Sequence, residues 1–380
     1  MKFETKIEID LNKIKNNTEL LCKSYNDYKY KFVDLKDNGH GLGLKIVNTM
    51  HRYGINYCLV DSLDSALKVR KFNSNIGVLI SSFLDLEEIY DCINNNIAVT
   101  VFSLEYLERI LSLNIKDTLK IHILINNGSN LMGVNDNIEL RNIIDKINDS
   151  KYLELEGIYT DITTLGVEDE FFYEEVNAFY QITNGYLSDD LIVHFNEPLM
   201  YHHKIDYVNG IRFDLSILGM EENIKDDIFT NMRIKNIEKK YNDLEFPNID
   251  LELVFNIISE VMEVKNVTKG SIVGKDYVAK EDLRVAIVPI GHKDGITKAI
   301  SYVGINTFKR NILTDDIDKL VVEIDRDVKV HDKVYILNEE RGIYDFLTYL
   351  RTNRYYLMSI LNHNLKKEYT NEEDFCYNIL

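Results

Sequence analysis

The chain has 380 residues, 45% of them hydrophobic, enough for a sizeable core and two domains, which excludes a disordered polymer. Its 62 acidic and 44 basic side chains leave a net charge of -18, which opposes electrostatic binding to nucleic acid or an anionic membrane surface and favours solubility. Cys22, Cys58, Cys92 and Cys376 are scattered, no apolar run approaches the roughly 20 residues of a membrane span, and the opening Met1-Lys2-Phe3-Glu4-Thr5 lacks a signal-peptide core, so a reducing cytoplasm is expected.

In chain order, residues 3–9 alternate as a strand does. Short β-branched or aromatic runs then recur at 30–32, 57–60, 76–80, 98–102, 120–125, 155–159, 191–195 and 211–215. Between them lie amphipathic stretches such as 62–71, 86–93 and 104–111, with apolar residues at helical spacing. Eight strands alternating with helices predict a (β/α)8 barrel of the TIM type, whose site lies at the C-terminal strand ends. Asp34, Asp161, Asn196, Glu197 and Arg212 all fall at or near such ends. Past Gly219 the pattern gives way to an acidic, Asn- and Lys-rich stretch containing Pro247. The expected organisation is a barrel over 10–235, a linker over 236–250, and a mostly β domain over 251–380 with strand-like runs at 285–290, 320–324 and 333–337. The tail from Lys366, with Glu368, Glu372, Glu373 and Asp374, reads as a solvated end.

Residues 32–43 read Phe-Val-Asp-Leu-Lys-Asp-Asn-Gly-His-Gly-Leu-Gly, a buried strand running into a Gly39-His40-Gly41 turn. Further stretches follow in order: Ile121-His122-Ile123-Leu124-Ile125-Asn126-Asn127-Gly128, Glu156-Gly157-Ile158-Tyr159-Thr160-Asp161, His194-Phe195-Asn196-Glu197, Ile211-Arg212-Phe213-Asp214-Leu215, and Val288-Pro289-Ile290-Gly291-His292-Lys293-Asp294-Gly295. Together these resemble the signatures of the alanine racemase family, whose fold is a β/α barrel followed by a β domain. The resemblance implies that the first strand, residues 3–9, joins that distant domain. It also implies a head-to-tail homodimer and pyridoxal phosphate (PLP) chemistry between a lysine and a tyrosine from the partner subunit, two bases on opposite sides as inversion requires.

The residues that this resemblance assigns to the chemistry are changed. The Schiff-base lysine falls on Asp34, and a carboxylate forms no imine. The tyrosine falls on Val273, which has no proton to give. A carbamylated lysine and its arginine fall on Leu124 and Leu131, implying that the pair is repacked as apolar side chains. The histidine beneath the cofactor ring becomes Asp161, the phosphate-binding serine Glu197, and the glycine offering its N–H to phosphate Asp214. Two carboxylates roughly 5 Å from a phosphate would each repel it by several kcal/mol at an effective dielectric of about 20. Arg212, Asn196, Tyr344 at the place of a phosphate-binding tyrosine, and Asp318 at that of the Asp of a Met-Asp pair, with Ile317 in place of the Met, are retained.

Two readings follow, beside a third in which the chain is an enzyme of new chemistry that uses the acidic barrel mouth. In the first, the chain binds no PLP and is a catalytically silent binding or regulatory protein, a homodimer or the partner of an authentic racemase. If Asp34, Asp161, Glu197 and Asp214 converge, its ligand is a small cation. Lys36 or Arg212 neutralising the cluster would remove that idea, as would an ion pair of Arg212 with Asp161 or Asp214. In the second, Lys36 replaces the lost lysine, being on the same side of the strand two residues beyond Asp34, and the chain is a divergent PLP-dependent racemase. His40 belongs to the turn, and the adjacent His202 and His203 point apart and make no metal site.

Overall fold

All eight apolar runs become barrel strands in the computed structural model, which describes residues 4–162, 170–196, 205–220, 249–338, 346–347, 354–361 and 365–371. After β1 (Lys6–Asp10), these are β2 (Tyr30–Asp34), β3 (Tyr57–Val60), β4 (Gly77–Ile80), β5 (Ala98–Val101), β6 (Leu119–Leu124), β7 (Leu153–Thr160), β8 (Ile192–Asn196) and β9 (Gly210–Phe213). Every neighbouring pair is parallel, and β2 pairs with β9 to close the ring. β3, β5 and β9 are buried at all their residues, the continuous apolar run that a strand needs when its two faces meet helices and the barrel interior. Two of the helices start where serines cap them: Ser62 Oγ accepts from Ser65 N at 3.3 Å before Leu63–Phe72, and Ser103 does so from Tyr106 N at 3.2 Å before Leu104–Leu111.

The larger core lies between the strands and the helices around them and runs on into the β domain, while a smaller cluster fills the barrel itself with Phe32, Tyr57, Leu59, Leu79, Ala98, Leu124, Tyr159 and Ile192. The second domain is built from β10 (Phe255–Glu260), β11 (Glu263–Val267), β12 (Ile272–Val273), β13 (Tyr277–Val278), β14 (Leu283–Val288), β15 (Tyr302–Ile305), β16 (Phe308–Asp315), β17 (Leu320–Ile324), β18 (Lys333–Leu337) and β19 (Lys366–Thr370). Nine strands form one sheet in the order β11-β14-β17-β16-β15-β18-β10-β1-β19, with β12 and β13 as a separate hairpin.

The first strand thus leaves the barrel for the distant sheet, as the resemblance implies, and pairs antiparallel with β10. The solvated tail needs correction. Lys366–Thr370 is a strand, parallel to β1, and its charged side chains find partners on β1 and just before it: Lys6 holds Glu368, and Lys366 lies 3.0 Å from Glu4. The chain passes between domains at Gly219, whose φ of +74° and backbone approach to Glu252 leave no room for a Cβ. Buried Asn17 fastens this crossing, donating to Ile217 O and Glu252 O and accepting from Glu252 N. The stretch 221–248, which holds most of the expected linker, lies outside the described residues.

Candidate functional site at the barrel mouth

β2 ends at Asp34, and the chain then turns with the wrong hand for L-residues. Asp37, Asn38 and His40 have φ of 51°, 56° and 52°, and Gly39 and Gly41 have 64° and 79°. Each non-glycine residue in this region costs about 1–2 kcal/mol, somewhat less for Asn and Asp. The turn is held from three sides. His40 Nε2 lies 3.1 Å from both Asp34 O and Asp214 Oδ1, Asp61 accepts from Asp37 N at 2.7 Å, and Tyr369 of β19 donates to Leu42 O at 3.0 Å. Asn38→Ala is therefore expected to destabilise the protein by about 1 kcal/mol, while Asn38→Gly leaves stability unchanged or raises it. Urea unfolding of both variants checks this, and an equal loss in the two would sink the argument from backbone strain.

Lys36 is not on the strand, as the sequence suggested, but opens the turn, because β2 stops two residues earlier. Its side chain nevertheless returns to the strand end. Nζ sits 3.0 Å from Asp34 Oδ2, while Asp34 Oδ1 accepts from Lys36 N at 2.9 Å. Burial pushes the ammonium towards losing its proton, but the carboxylates of Asp34 and Asp161 outweigh that and raise its pKa. Asp161, just past β7, is ion-paired with Arg212 of β9, which also donates to Thr160 O at 3.0 Å. Arg212 is 3% exposed and Asp161 56%, so the cation is buried and the anion faces solvent.

Beneath Arg212 a polar chain runs through the barrel interior. Arg212 contacts His194 Nδ1 at 3.1 Å, His194 Nε2 meets His122 Nδ1 at 3.0 Å, and His122 Nε2 meets Glu156 Oε2 at 3.0 Å. Arginine only donates, so one assignment of protons satisfies every link. His194 accepts at Nδ1 and donates from Nε2, and His122 does the same towards Glu156. Burial, then the charge of Arg212, holds His194 well below its ordinary pKa, which keeps it neutral as that assignment requires. Glu156 ends the chain and also accepts from Tyr57 and, at 2.8 Å, from Lys120. Burial pushes Glu156 up, but the hydrogen bonds from His122, Lys120 and Tyr57 bring it down to about 2. The rings are stacked as well as bonded: His194 lies between Phe32 and Tyr159, with centroids at 4.3 and 4.6 Å.

The expected convergence of carboxylates is present in part and takes a different form. Asp34, Asp161 and Asp214 each face their own base, Lys36, Arg212 and His40, so their charge is balanced within the chain, and Glu197 lies outside the described residues. Asn196 spends both ends of its amide on the backbone of Ile162, at 2.7 and 3.0 Å, and so fixes the strand end. Leu124 and Leu131 are not repacked together: Leu124 is 5% exposed inside the barrel and Leu131 83% exposed on the following loop. Asp318 lies in the β16–β17 connection of the second domain, paired with Lys319 at 2.7 Å, and Val273 is buried in the β12–β13 hairpin. Tyr344, His202 and His203 lie outside the described residues. The tyrosine that hydrogen-bonds Asp214 is Tyr355, on the helix Arg354–Ile360, with Arg354 beside it. Sequence reasoning missed this pair, and it missed the roles of His122, His194 and Glu156. The usable signal was polar residues at inward positions of strands otherwise apolar.

Family models described as the alanine racemase N-terminal and C-terminal domains match residues 9–196 and 254–369. The chain belongs to the alanine racemase family. Among curated relatives, an alanine racemase of Borreliella burgdorferi is 27% identical over 380 residues, covering 96% of each chain. One from Staphylococcus epidermidis is 25% identical over 316 residues, 80% of this chain and 78% of that one. Among solved structures, alanine racemase from E. faecalis superposes with a TM-score of 0.83 at 22% identity, over 96% of this chain and 98% of that one. Histidine racemase from Leuconostoc mesenteroides gives 0.82 at 17%, again over 96% and 98%. At those identities the structural likeness speaks for the fold, barrel and β domain together.

Proposed function

We propose that this member of the alanine racemase family does not racemise and acts as a binding or regulatory protein, without PLP. The observation that carries this reading is the state of Lys36. An amine that attacks a carbonyl needs its proton removed, and enzymes lower its pKa by burial or a neighbouring cation. Lys36 is in the opposite situation, its ammonium held by Asp34 at 3.0 Å with its pKa raised. The remaining donors do not fit the cofactor either. Arg212 is fully engaged by Asp161, Thr160 and His194, and Asp214, beside His40, is the residue that the resemblance aligns with the glycine offering its N–H to phosphate. Assembly with a second copy, or with an authentic racemase, belongs to the same proposal, as does a cytoplasmic location, in keeping with the free thiols of Cys22, Cys58 and Cys92. No described helix is long and apolar enough to cross a membrane.

A second reading is favoured by the position of Lys36 at the barrel mouth with Asp161 and Arg212 in its field, among relatives that are racemases. There Lys36 would hold PLP, and loss of the Asp34 pairing would be the activating step. Titration of the purified protein with PLP, followed by borohydride reduction and peptide mapping, separates the two. The expected result is no adduct on Lys36 at saturating PLP and no visible absorbance band. An adduct that disappears in Lys36→Ala would establish the second reading.

A further inference from the structure

β19 closes one end of the nine-stranded sheet, parallel to β1, with Tyr369 opposite Ile9. Successive side chains of a strand point to opposite faces. Lys366 and Glu368 therefore share a face with Lys6 and Glu8, and Tyr369 shares the other with Ile7 and Ile9, both buried. From that buried face Tyr369 reaches the left-handed turn after β2, 327 residues away in the chain, and donates to Leu42 O at 3.0 Å. Its hydroxyl rests on Gly43, where φ is +88° and an added Cβ would stand 2.5 Å from the oxygen. Lys45 Nζ lies 5.1 Å from the centre of the ring and holds it from the other side of the glycine in sequence. The second domain thus touches the backbone of the turn at the point where the turn ends.

We propose that Tyr369 is a positioning residue for the barrel mouth, acting through this turn to hold the Lys36 ammonium on Asp34. The connection is a short run of hydrogen bonds. Leu42, whose carbonyl the tyrosine holds, donates from its own N to Gly39 O at 3.0 Å, and Gly39 N donates to Leu35 O at 2.9 Å. The next residue, Lys36, donates from N to Asp34 Oδ1 at 2.9 Å. Gly41 N to Asp37 O and Gly43 N to Asn38 O complete the turn and fix the left-handed backbone of Asp37, Asn38 and His40. Backbone strained in this way persists only where its surroundings over-determine it, and Tyr369 is a hold that the second domain supplies. Freeing Leu42 O therefore loosens the turn at its far end, and with it the backbone from which Lys36 Nζ reaches back to Asp34 Oδ2. The coupling is reciprocal: whatever fixes the turn from the mouth also seats the C-terminal strand. The inference rests on the mouth being the functional site, and it holds whether or not PLP enters there.

The test compares the full-length protein with two variants. Tyr369→Phe keeps the ring beside Lys45 and removes only the hydroxyl. Thr370→Val removes a different bond of the same strand, from Thr370 Oγ1 to Ile9 O at 3.3 Å, and spares the tyrosine. Two rates are read: amide exchange at Gly39, Gly41 and Gly43 by NMR, and acetylation of Lys36 by acetic anhydride, mapped by peptide mass. In Tyr369→Phe both are expected to rise about fivefold, the loss of one ordinary hydrogen bond, while in Thr370→Val both stay at the parent's values. Unmoved turn amides in Tyr369→Phe overturn the proposal. An equal rise in Thr370→Val also overturns it, since the effect then comes from loosening the strand as a whole. Turn amides that quicken while Lys36 is acetylated no faster overturn it too, because the tyrosine then steadies the turn without positioning the lysine. A PLP adduct on Lys36 of the parent chain bears on the cofactor-free reading alone.

Discussion

Glu156→Gln is expected to lower the unfolding free energy by about 2 to 3 kcal/mol at pH 7 and to flatten the loss of stability on acidification. Glu156 is 13% exposed and its pKa is depressed to about 2, from an ordinary value of 4.5. A carboxylate whose folded pKa is depressed contributes stability that is fully present above its unfolded pKa and lost as pH falls through the folded one. The window is therefore about pH 4.5 down to 2, and each tenfold change in proton affinity corresponds to roughly 1.4 kcal/mol. The amide keeps the shape and can still accept from His122, but its NH2 group then faces the Lys120 ammonium, which lay 2.8 Å from the carboxylate. Chemical denaturation of parent and variant between pH 7 and pH 2.5 measures both effects. Parallel acid limbs in the two proteins would mean that Glu156 is not the group whose protonation unravels the barrel floor.

The fold was readable because its signals are local and repeated. Runs such as 57–60 and 98–101 are almost wholly apolar and are buried at every residue, and a strand buried on both faces leaves no other pattern, so the barrel followed from their spacing. The helix predicted at 104–111 is bounded by a capping serine and was placed without error. What failed was conditional on partners remote in sequence. The tail at 366–370 is charged and looks solvated until the segment at β1, some 360 residues earlier, supplies Lys6 on the strand and Glu4 just before it. Lys36 was assigned to a strand that ends two residues sooner, because the left-handed run from Asp37 to Gly41 has only its two glycines to announce it. For the candidate site, the resemblance located Asp34, Asp161, Arg212 and Asp214 at one mouth, but not which base each would face. Pairing is decided by side-chain reach across strands, and Tyr355 and Arg354 come from a helix more than 130 residues away from Asp214. His122 and His194 were present in the motifs, yet their roles depend on a chain of donors that runs from Arg212, which only donates, to the Glu156 carboxylate, which only accepts.

Removing Arg212 should therefore cost far more than removing its ion-pair partner, although the two share one contact. Arg212→Met leaves Thr160 O and His194 Nδ1 buried without their donor, and an unsatisfied buried acceptor costs about 1–3 kcal/mol. The expected loss is about 3 kcal/mol. Asp161→Asn removes a charge that is 56% exposed and already solvated, and the expected loss is below about 1 kcal/mol. Arg212→Lys keeps the charge but not the planar fork that reaches His194, Thr160 and Asp161 together, so it should recover only part of the difference. The histidines provide a second measurement that stability alone cannot mimic. After burial, the Arg212 charge is the main reason His194 stays unprotonated. In Arg212→Met the His194 pKa should rise, so that its Nδ1 takes up a second proton at higher pH, while the Glu156 carboxylate, which only accepts, keeps the His122 proton on Nε2. Long-range nitrogen–proton NMR correlations on labelled histidine distinguish the two ring forms directly. An unmoved His194 titration in Arg212→Met would mean that the arginine at the mouth is not what holds that ring neutral.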